Sequence, residues 1–337
     1  MAPPRTPLIK WSQYLGARVA EMVLTTFEAR SNLRTAAGIG QLMYALDKRH
    51  RARAASHIRL AFPEYSEQQI QELTRESFEH FLQLVMEVCH TPRLLNYASW
   101  PHRTKLTEMA PAIKMLSAGQ PAILITGHLG NWEVLGSLLA ILGYDIDAIA
   151  RPIDNPLIND WLLGIRERRG LRIITKWNAT DRMLQVLGRG GALGFIADQN
   201  AGTKGMFVPF FGKLASTYKS IGLLAISQNV PVICGYARRV GDDYQYEMGT
   251  VDIIHPKDWA GQPDPLFYVT ARYMRAIETM VRQCPSQYLW MHRRWKSRPN
   301  FEKKGKPMPE SLKNSLRSLP WMDEATMASL EQPLETC

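Results

Sequence analysis

The stretch AILITGHLGNWEVLG, residues 122–136, changes texture twice in fifteen positions. AILIT is a short apolar run of strand length, and EVLGSLLAILG, from residue 133, carries the spacing of a helix. Between them lie Gly127, His128, Gly130 and Asn131, two glycines for a tight turn and an asparagine placed to cap the helix. A strand that ends in a polar loop and passes directly into a helix is the repeating unit of a layered α/β fold.

The same alternation extends through the middle of the chain. YDIDAIA (144–150), LRIIT (171–175), GALGFIA (191–197) and VPVICGYARR (230–239) are further strand candidates. Amphipathic segments such as NDWLLGIRERRG and IGLLAISQN separate them, so the sheet is expected to be largely parallel with helices on its faces. Residues 1–100 are read as a helical region that associates with a membrane, 101–299 as the α/β core continuous with it, and 300–337 as a tail rich in Lys and Pro. Ser66 and Gln69 form a candidate capping box for a helix that Pro92 should close.

Lys and Arg number 41 against 31 Asp and Glu, a formal charge of +10. That excess predicts an anionic partner: a phospholipid surface, a nucleic acid or an acidic carrier protein. No nucleic-acid motif accompanies the charge, so nucleic acid is set aside. The four cysteines (Cys89, Cys234, Cys284 and Cys337) are scattered, which argues against a zinc knuckle or a disulfide framework. The N-terminus lacks the apolar core of a signal peptide, and no run reaches the ~18 apolar residues of a spanning helix. Leu8, Trp11, Leu15, Val19 and Met22 recur at helical spacing, either to lie on a membrane or to pack on the core. KRHRAR (48–53) adds a basic surface or simply a solvated helix face.

His128 and Glu133 are the reactive pair of the opening stretch. On one regular helix they would stand about 140° apart. With His128 in the turn and Glu133 in the first helical turns they can meet. Glu133 would then hold one imidazole nitrogen and leave the other free as a base. No Ser or Cys stands beside His128, so direct proton abstraction from a hydroxyl is expected rather than a covalent intermediate. A metal site would need Asp198 as a third ligand, and the H-E-x-x-H spacing is absent. His128, Arg151 and Asp198 each follow a candidate strand, so all three should gather at one edge of the sheet, where ligands of such sheets bind.

Four blocks in order carry a resemblance: GHLGNWE (127–133), ARPIDNP (150–156), ADQNAGTKGMFVPFFGKLAST (197–217) and PSQYLWMHRRWKSRP (285–299). Together with HIRLAFPEYSEQQI (57–70), they resemble the lauroyl/myristoyl acyltransferases of lipid A biosynthesis, within the lysophospholipid acyltransferase superfamily. The likeness covers roughly residues 10–300. It implies a glycerol-phosphate-acyltransferase-like α/β fold; no cofactor is expected, and the ligand spacing already disfavours a metal. It also implies an enzyme at the cytoplasmic face of a bacterial inner membrane, moving a fatty acyl group from an acyl carrier protein or coenzyme A thioester to a lipid hydroxyl. The family's H-x-x-x-x-D/E pair falls on His128 and Glu133, its arginine on Arg151 and its aspartate on Asp198. Many members carry an obvious spanning N-terminal helix; here Arg18, Glu21 and Glu28 interrupt it, which favours peripheral or monotopic attachment.

In that chemistry His128 takes the proton of the acceptor hydroxyl while amides near Gly130 and Asn131 receive the oxyanion. Arg151 and Asp198 are candidate substrate contacts, Arg151 toward a phosphate, or else a structural salt bridge with each other. Phe210 and Phe211 line an acyl channel or pack in the core. Arg293 and Arg294 bind headgroup phosphates or pair with carboxylates. The acceptor is expected to be a lipid A precursor. A lysophospholipid, a phosphoinositol mannoside or another glycolipid would suit the same pair, and a noncatalytic membrane-surface protein of this fold is the rival of another class.

Overall fold

The computed structural model describes residues 7–168, 170–175 and 179–332. Four helices come first: α1 (Pro7–Thr25), α2 (Ala29–Leu46), α3 (Lys48–Ala61) and α4 (Glu67–Leu94). The capping box at the head of α4 is formed, Gln69 N–H donating to Ser66 Oγ and Ser66 N–H to Gln69 Oε1. Pro92 does not end that helix, which runs on to Leu94. Pro92 brings no N–H to the helical ladder, and only two helical residues follow it.

The core then alternates. In order come α5 (Trp100–Arg103), β1 (Thr104–Thr107), α6 (Ala110–Ser117), β2 (Ala122–Thr126), α7 (Trp132–Ile141) and β3 (Ile146–Ile149). They are followed by α8 (Pro156–Glu167), β4 (Arg172–Ile174), α9 (Ala179–Gly188) and β5 (Ala192–Ile196). A hairpin of β6 (Met206–Phe210) and β7 (Lys213–Thr217) precedes α10 (Lys219–Gln228), β8 (Val232–Arg239) and β9 (Tyr246–Ile254). Next stand α11 (Pro256–Ala260) and α12 (Pro265–Gln283).

Seven strands form one sheet in the order β1-β9-β8-β2-β5-β3-β4, parallel throughout except between β8 and β9. The fold is therefore the expected α/β arrangement, with a mostly parallel sheet flanked by helices behind an N-terminal helical region. Each of the five apolar runs contains a strand. β1, β9 and the hairpin were not anticipated: TKLT and YEMGTVDII lack a continuous apolar run, and in the hairpin the proline within MFVPF and the polar residues of KLAST mask the strand pattern.

Two apolar layers sandwich the sheet. One buries Ile123, Ile125, Leu193 and Val232 against α12 and α3; the other sets Ile146, Ile173 and Ala192 against Val134, Leu138 and Leu139 of α7. The segment from residue 300 is more than a tail. It forms α13 (Asn300–Lys303), α14 (Glu310–Arg317) and α15 (Glu324–Glu331), and it buries Met308, Leu316, Met327 and Leu330 against the core. Its Lys and Pro content hid a thin apolar stripe. Cys337 lies outside the described residues.

α1 does not pack its apolar face inward. Leu8, Trp11, Leu15, Val19 and Met22 are each more than half exposed, and Leu42 and Leu46 of α2 add further exposed apolar surface. The core-packing reading of α1 therefore fails. Among the described residues no helix is long and apolar enough to cross a membrane.

Candidate active site

Parallel pairing of β2 with β5 decides which side chains meet. Thr126 stands opposite Ile196, so His128 and Asp198, each two residues further on, leave neighbouring strand ends together. Asp198 Oδ1 lies 2.6 Å from His128 Nδ1, and Oδ2 accepts the His128 backbone N–H at 2.9 Å. Gly127 permits this approach, since a Cβ there would stand 2.9 Å from Ile277 Cγ2 and 3.4 Å from Asp198 Oδ2. Gly130 turns the chain at φ 57°, where a Cβ would strike the Ala237 carbonyl.

Asp198 is 1% exposed. Burial pushes its pKa up, but the His128 charge and the two hydrogen bonds from His128 outweigh this and hold the carboxyl well below the usual range. An ionised carboxylate at Nδ1 keeps a proton on that nitrogen, which leaves Nε2 as the basic one. Gln199 Nε2 lies 3.3 Å from His128 Nε2. His292 stacks on the His128 ring with centroids 5.0 Å apart, and Trp132 meets it edge-on at 5.0 Å. Burial, then the neighbouring His128 charge, lowers the His292 pKa and keeps that ring neutral. Behind the pair, burial and the Asp198 charge push the Tyr288 hydroxyl well up, so it stays protonated.

Glu133 is engaged elsewhere. Arg166 of α8 clamps its carboxylate, Nε to Oε2 at 2.8 Å and Nη2 to Oε1 at 2.5 Å. The expected hydrogen bond from the imidazole to Glu133 is replaced by one to Asp198. The cause is local: α7 begins only at Trp132, and its first turn aims Glu133 at α8 rather than back at the loop.

Other expected contacts are also reassigned. Gly130 N–H donates to Gln287 O at 2.9 Å and Asn131 N–H to Ala237 O at 2.7 Å, so neither amide is available to an oxyanion. Asn131 is fully buried, caps α7 through Val134 N–H and donates its amide to Glu87 Oε2, so it cannot contact substrate. Trp132 and Glu133, in the first helical turn, have amides with no protein acceptor among the described residues. Asp198 is too buried to touch substrate and pairs with His128, not Arg151. Arg151 lies two residues beyond β3, exposed, and makes no ion pair among the described residues.

Phe210 and Phe211 pack in the core on the other face of the sheet with Trp290 and Tyr288, so they line no acyl channel. Arg294 is buried, its guanidinium given to Ser216 O and Thr217 Oγ1 at 2.5 and 2.7 Å, and binds no headgroup. Arg293 is exposed. Gln199 and His292 were missed by sequence reasoning, although one follows Asp198 directly and the other opens HRRWK. Among the described residues no cluster of three His, Cys, Asp or Glu side chains is poised around a metal position.

An apolar cavity lies between the sheet and α6 and α7. It crosses β3 at Ala148, β5 at Gly194, β2 at Leu124, β8 at Ile233 and β9 at Thr250. Strands spaced ~4.8 Å apart make that crossing about 19 Å, the scale of a long fatty chain. The cavity holds about 870 Å³ of space between atoms, part of it open to solvent. Trp132 lines it while also touching the His128 ring, and among the described residues Glu133 and Arg166 are its charged walls.

A sequence profile described as bacterial lipid A biosynthesis acyltransferase matches residues 3–297. Among similar proteins is a lipid A biosynthesis lauroyltransferase of Escherichia coli (strain K12), 27% identical over 273 residues, covering 79% of this chain and 85% of that protein. A lipid A biosynthesis palmitoleoyltransferase of the same organism is 26% identical over 269 residues, covering 77% and 83%. A lipid A biosynthesis myristoyltransferase, also from it, is 23% identical over 295 residues, covering 86% and 88%.

Proposed function

Because the chain belongs to the bacterial lipid A biosynthesis acyltransferase family, we propose that it moves a fatty acyl group from a thioester to a hydroxyl of a lipid A precursor, with His128 as the general base. The observation that carries this reading is the His128–Asp198 pair, set beside an apolar cavity through Trp132. The fatty chain lies in the cavity and brings its thioester carbonyl to the Trp132 end. The acceptor hydroxyl displaces Gln199 from His128 Nε2.

As the acceptor oxygen forms its bond to the carbonyl carbon, Nε2 takes its proton, and the Asp198 carboxylate stabilises the imidazolium. The first-turn amides of Trp132 and Glu133 face the developing oxyanion. Collapse of the tetrahedral adduct breaks the C–S bond, and the proton passes from the imidazolium to the departing thiolate. His292 and Trp132 flank the ring and limit water around it.

The donor is the thioester of an acyl carrier protein or coenzyme A. The exposed apolar face of α1 rests on the cytoplasmic surface of the inner membrane, which brings the site to its lipid acceptor. The test is mass spectrometry of lipids after the purified protein meets each thioester and a bacterial lipid extract. A product heavier by one acyl chain is expected, absent with His128→Ala. Unchanged turnover in that variant refutes the base assignment. A folded, membrane-bound protein that transfers nothing from either donor, to this extract or to the host's own lipids, favours the noncatalytic reading.

A further inference from the structure

Arg49, Arg53 and His57 follow one another at four-residue spacing on α3, so they share a face, each about 6 Å further along the helix. That face runs along the segment that carries His292. Arg53 Nη1 donates to Met291 O at 3.3 Å, and His57 Nδ1 lies 3.0 Å from Trp290 O. Arg293 is exposed two residues beyond Met291, and the intervening His292 stacks on His128. Three guanidiniums thus collect where α3 meets the edge of the catalytic centre.

Among the described residues none of the three makes an ion pair. Arg59, Arg75, Arg166, Arg172, Arg239 and Arg272 all do. Burial lowers the Arg53 pKa, and the charges of Arg293 and Arg49 lower it further, with only Asp47 opposing them. Like charges held together beside a reaction centre, with Asp47 acting on Arg53 only at a distance and no ion pair among the described residues, form a socket for a multivalent anion. Guanidinium forks match phosphate oxygens in geometry as well as charge.

We propose that Arg49, Arg53 and Arg293 bind a phosphate group of a substrate and so fix the reacting carbonyl or hydroxyl relative to His128. This rests on the acyltransferase reading. The phosphate is either the phosphodiester of a phosphopantetheine arm on the donor or a phosphate ester of the acceptor lipid; the recognition chemistry is the same.

The experiment measures kinetics of wild type, Arg53→Gln and Arg293→Gln with paired substrates. Acyl-phosphopantetheine is compared with acyl-pantetheine, and the phosphorylated acceptor with its phosphatase-treated form. Loss of one charge-assisted contact should raise KM for the phosphate-bearing substrate about tenfold, with kcat little changed. The effect should vanish with whichever phosphate-free partner supplied the group, which identifies the source. An unchanged KM in both variants, or an equal loss with and without phosphate on both substrates, overturns the proposal. Arg293 is exposed, so its variant guards against a folding defect in Arg53→Gln. Tryptophan-fluorescence titration with phosphopantetheine and with inorganic phosphate reads binding without turnover. If wild type transfers nothing, the acyltransferase reading fails. Phosphate binding lost in Arg293→Gln still supports the site, and no binding by wild type overturns it.

Discussion

Asp198→Asn discriminates sharply between the two carboxylates that compete for His128. Two donors face the two Asp198 oxygens, the His128 backbone N–H and Nδ1–H. A carboxamide has one acceptor and one donor end. If its oxygen stays on the backbone N–H, its NH₂ faces Nδ1 and drives the ring proton to Nε2, which destroys the base. If it flips, a buried donor opposes a donor at a cost of about 1–3 kcal/mol, and the imidazolium still lacks a counter-charge. A unit charge at roughly 4 Å and an effective dielectric of about 20 is worth about 4 kcal/mol, or ~10³ in rate.

The expected result is therefore a kcat lower by about 10³ with KM within about threefold. The assay is single-turnover acyl transfer by mass spectrometry, on protein whose melting shows it folded. Glu133→Gln is the control. It weakens the part-buried Arg166 clamp and costs stability, about 1–3 kcal/mol, but should lower kcat less than about tenfold because Glu133 does not touch the imidazole. An Asp198→Asn enzyme within tenfold of wild type, or a greater kcat loss in Glu133→Gln, would refute the reasoning.

Three further outcomes are expected from the fold. A Cβ at Gly194 would meet only Ala148, at 3.7 Å, leaving bulk there to project into the apolar cavity. Gly194→Leu should cut turnover of long-chain thioesters by at least about tenfold relative to medium-chain ones, and equal loss for all lengths removes the cavity from chain selection. His80 is pushed down to about 3 and His57 to about 4, both chiefly by burial. Their unfolded forms take up protons below pH ~6.5 while the folded forms do not, so stability falls with pH from there toward about 4. Each contributes about 1.4 kcal/mol per pH unit, and denaturant midpoints at pH 7 and 5 should differ accordingly, less so in His80→Gln; identical midpoints contradict the assignment. Replacing Leu15 and Val19 with Glu on the exposed face of α1 should weaken vesicle co-sedimentation more than tenfold without changing the melting temperature, whereas unchanged sedimentation places the membrane contact elsewhere.

Much of the scaffold is written locally. AILIT, GALGFIA and VPVICGYA are largely apolar because strands in the middle of a sheet are covered on both faces, and composition alone reports that. The cap at Asn131 and the capping box at Ser66 and Gln69 are likewise contacts between residues three apart. β1 and β9 are half-buried and carry no continuous apolar run, β1 pairs with a strand far along the chain, and the hairpin's apolar strand is interrupted by Pro209. The packed segment after residue 300 was obscured because its few apolar residues are spread among charges.

By itself the sequence determined the α/β class, five strand positions, the glycine-bracketed loop that presents His128, and membership of a family through four ordered blocks. Those are properties of short segments, and short segments keep their order when the chain folds. The tertiary structure decided which carboxylate serves the histidine. Glu133 is five residues away but points across to Arg166 of α8, whereas Asp198 is seventy residues away and arrives because β5 lies in register beside β2. It likewise left Arg49, Arg53 and Arg293 without an ion pair among the described residues and buried Arg294, because burial and partnership are settled by elements that meet across the fold.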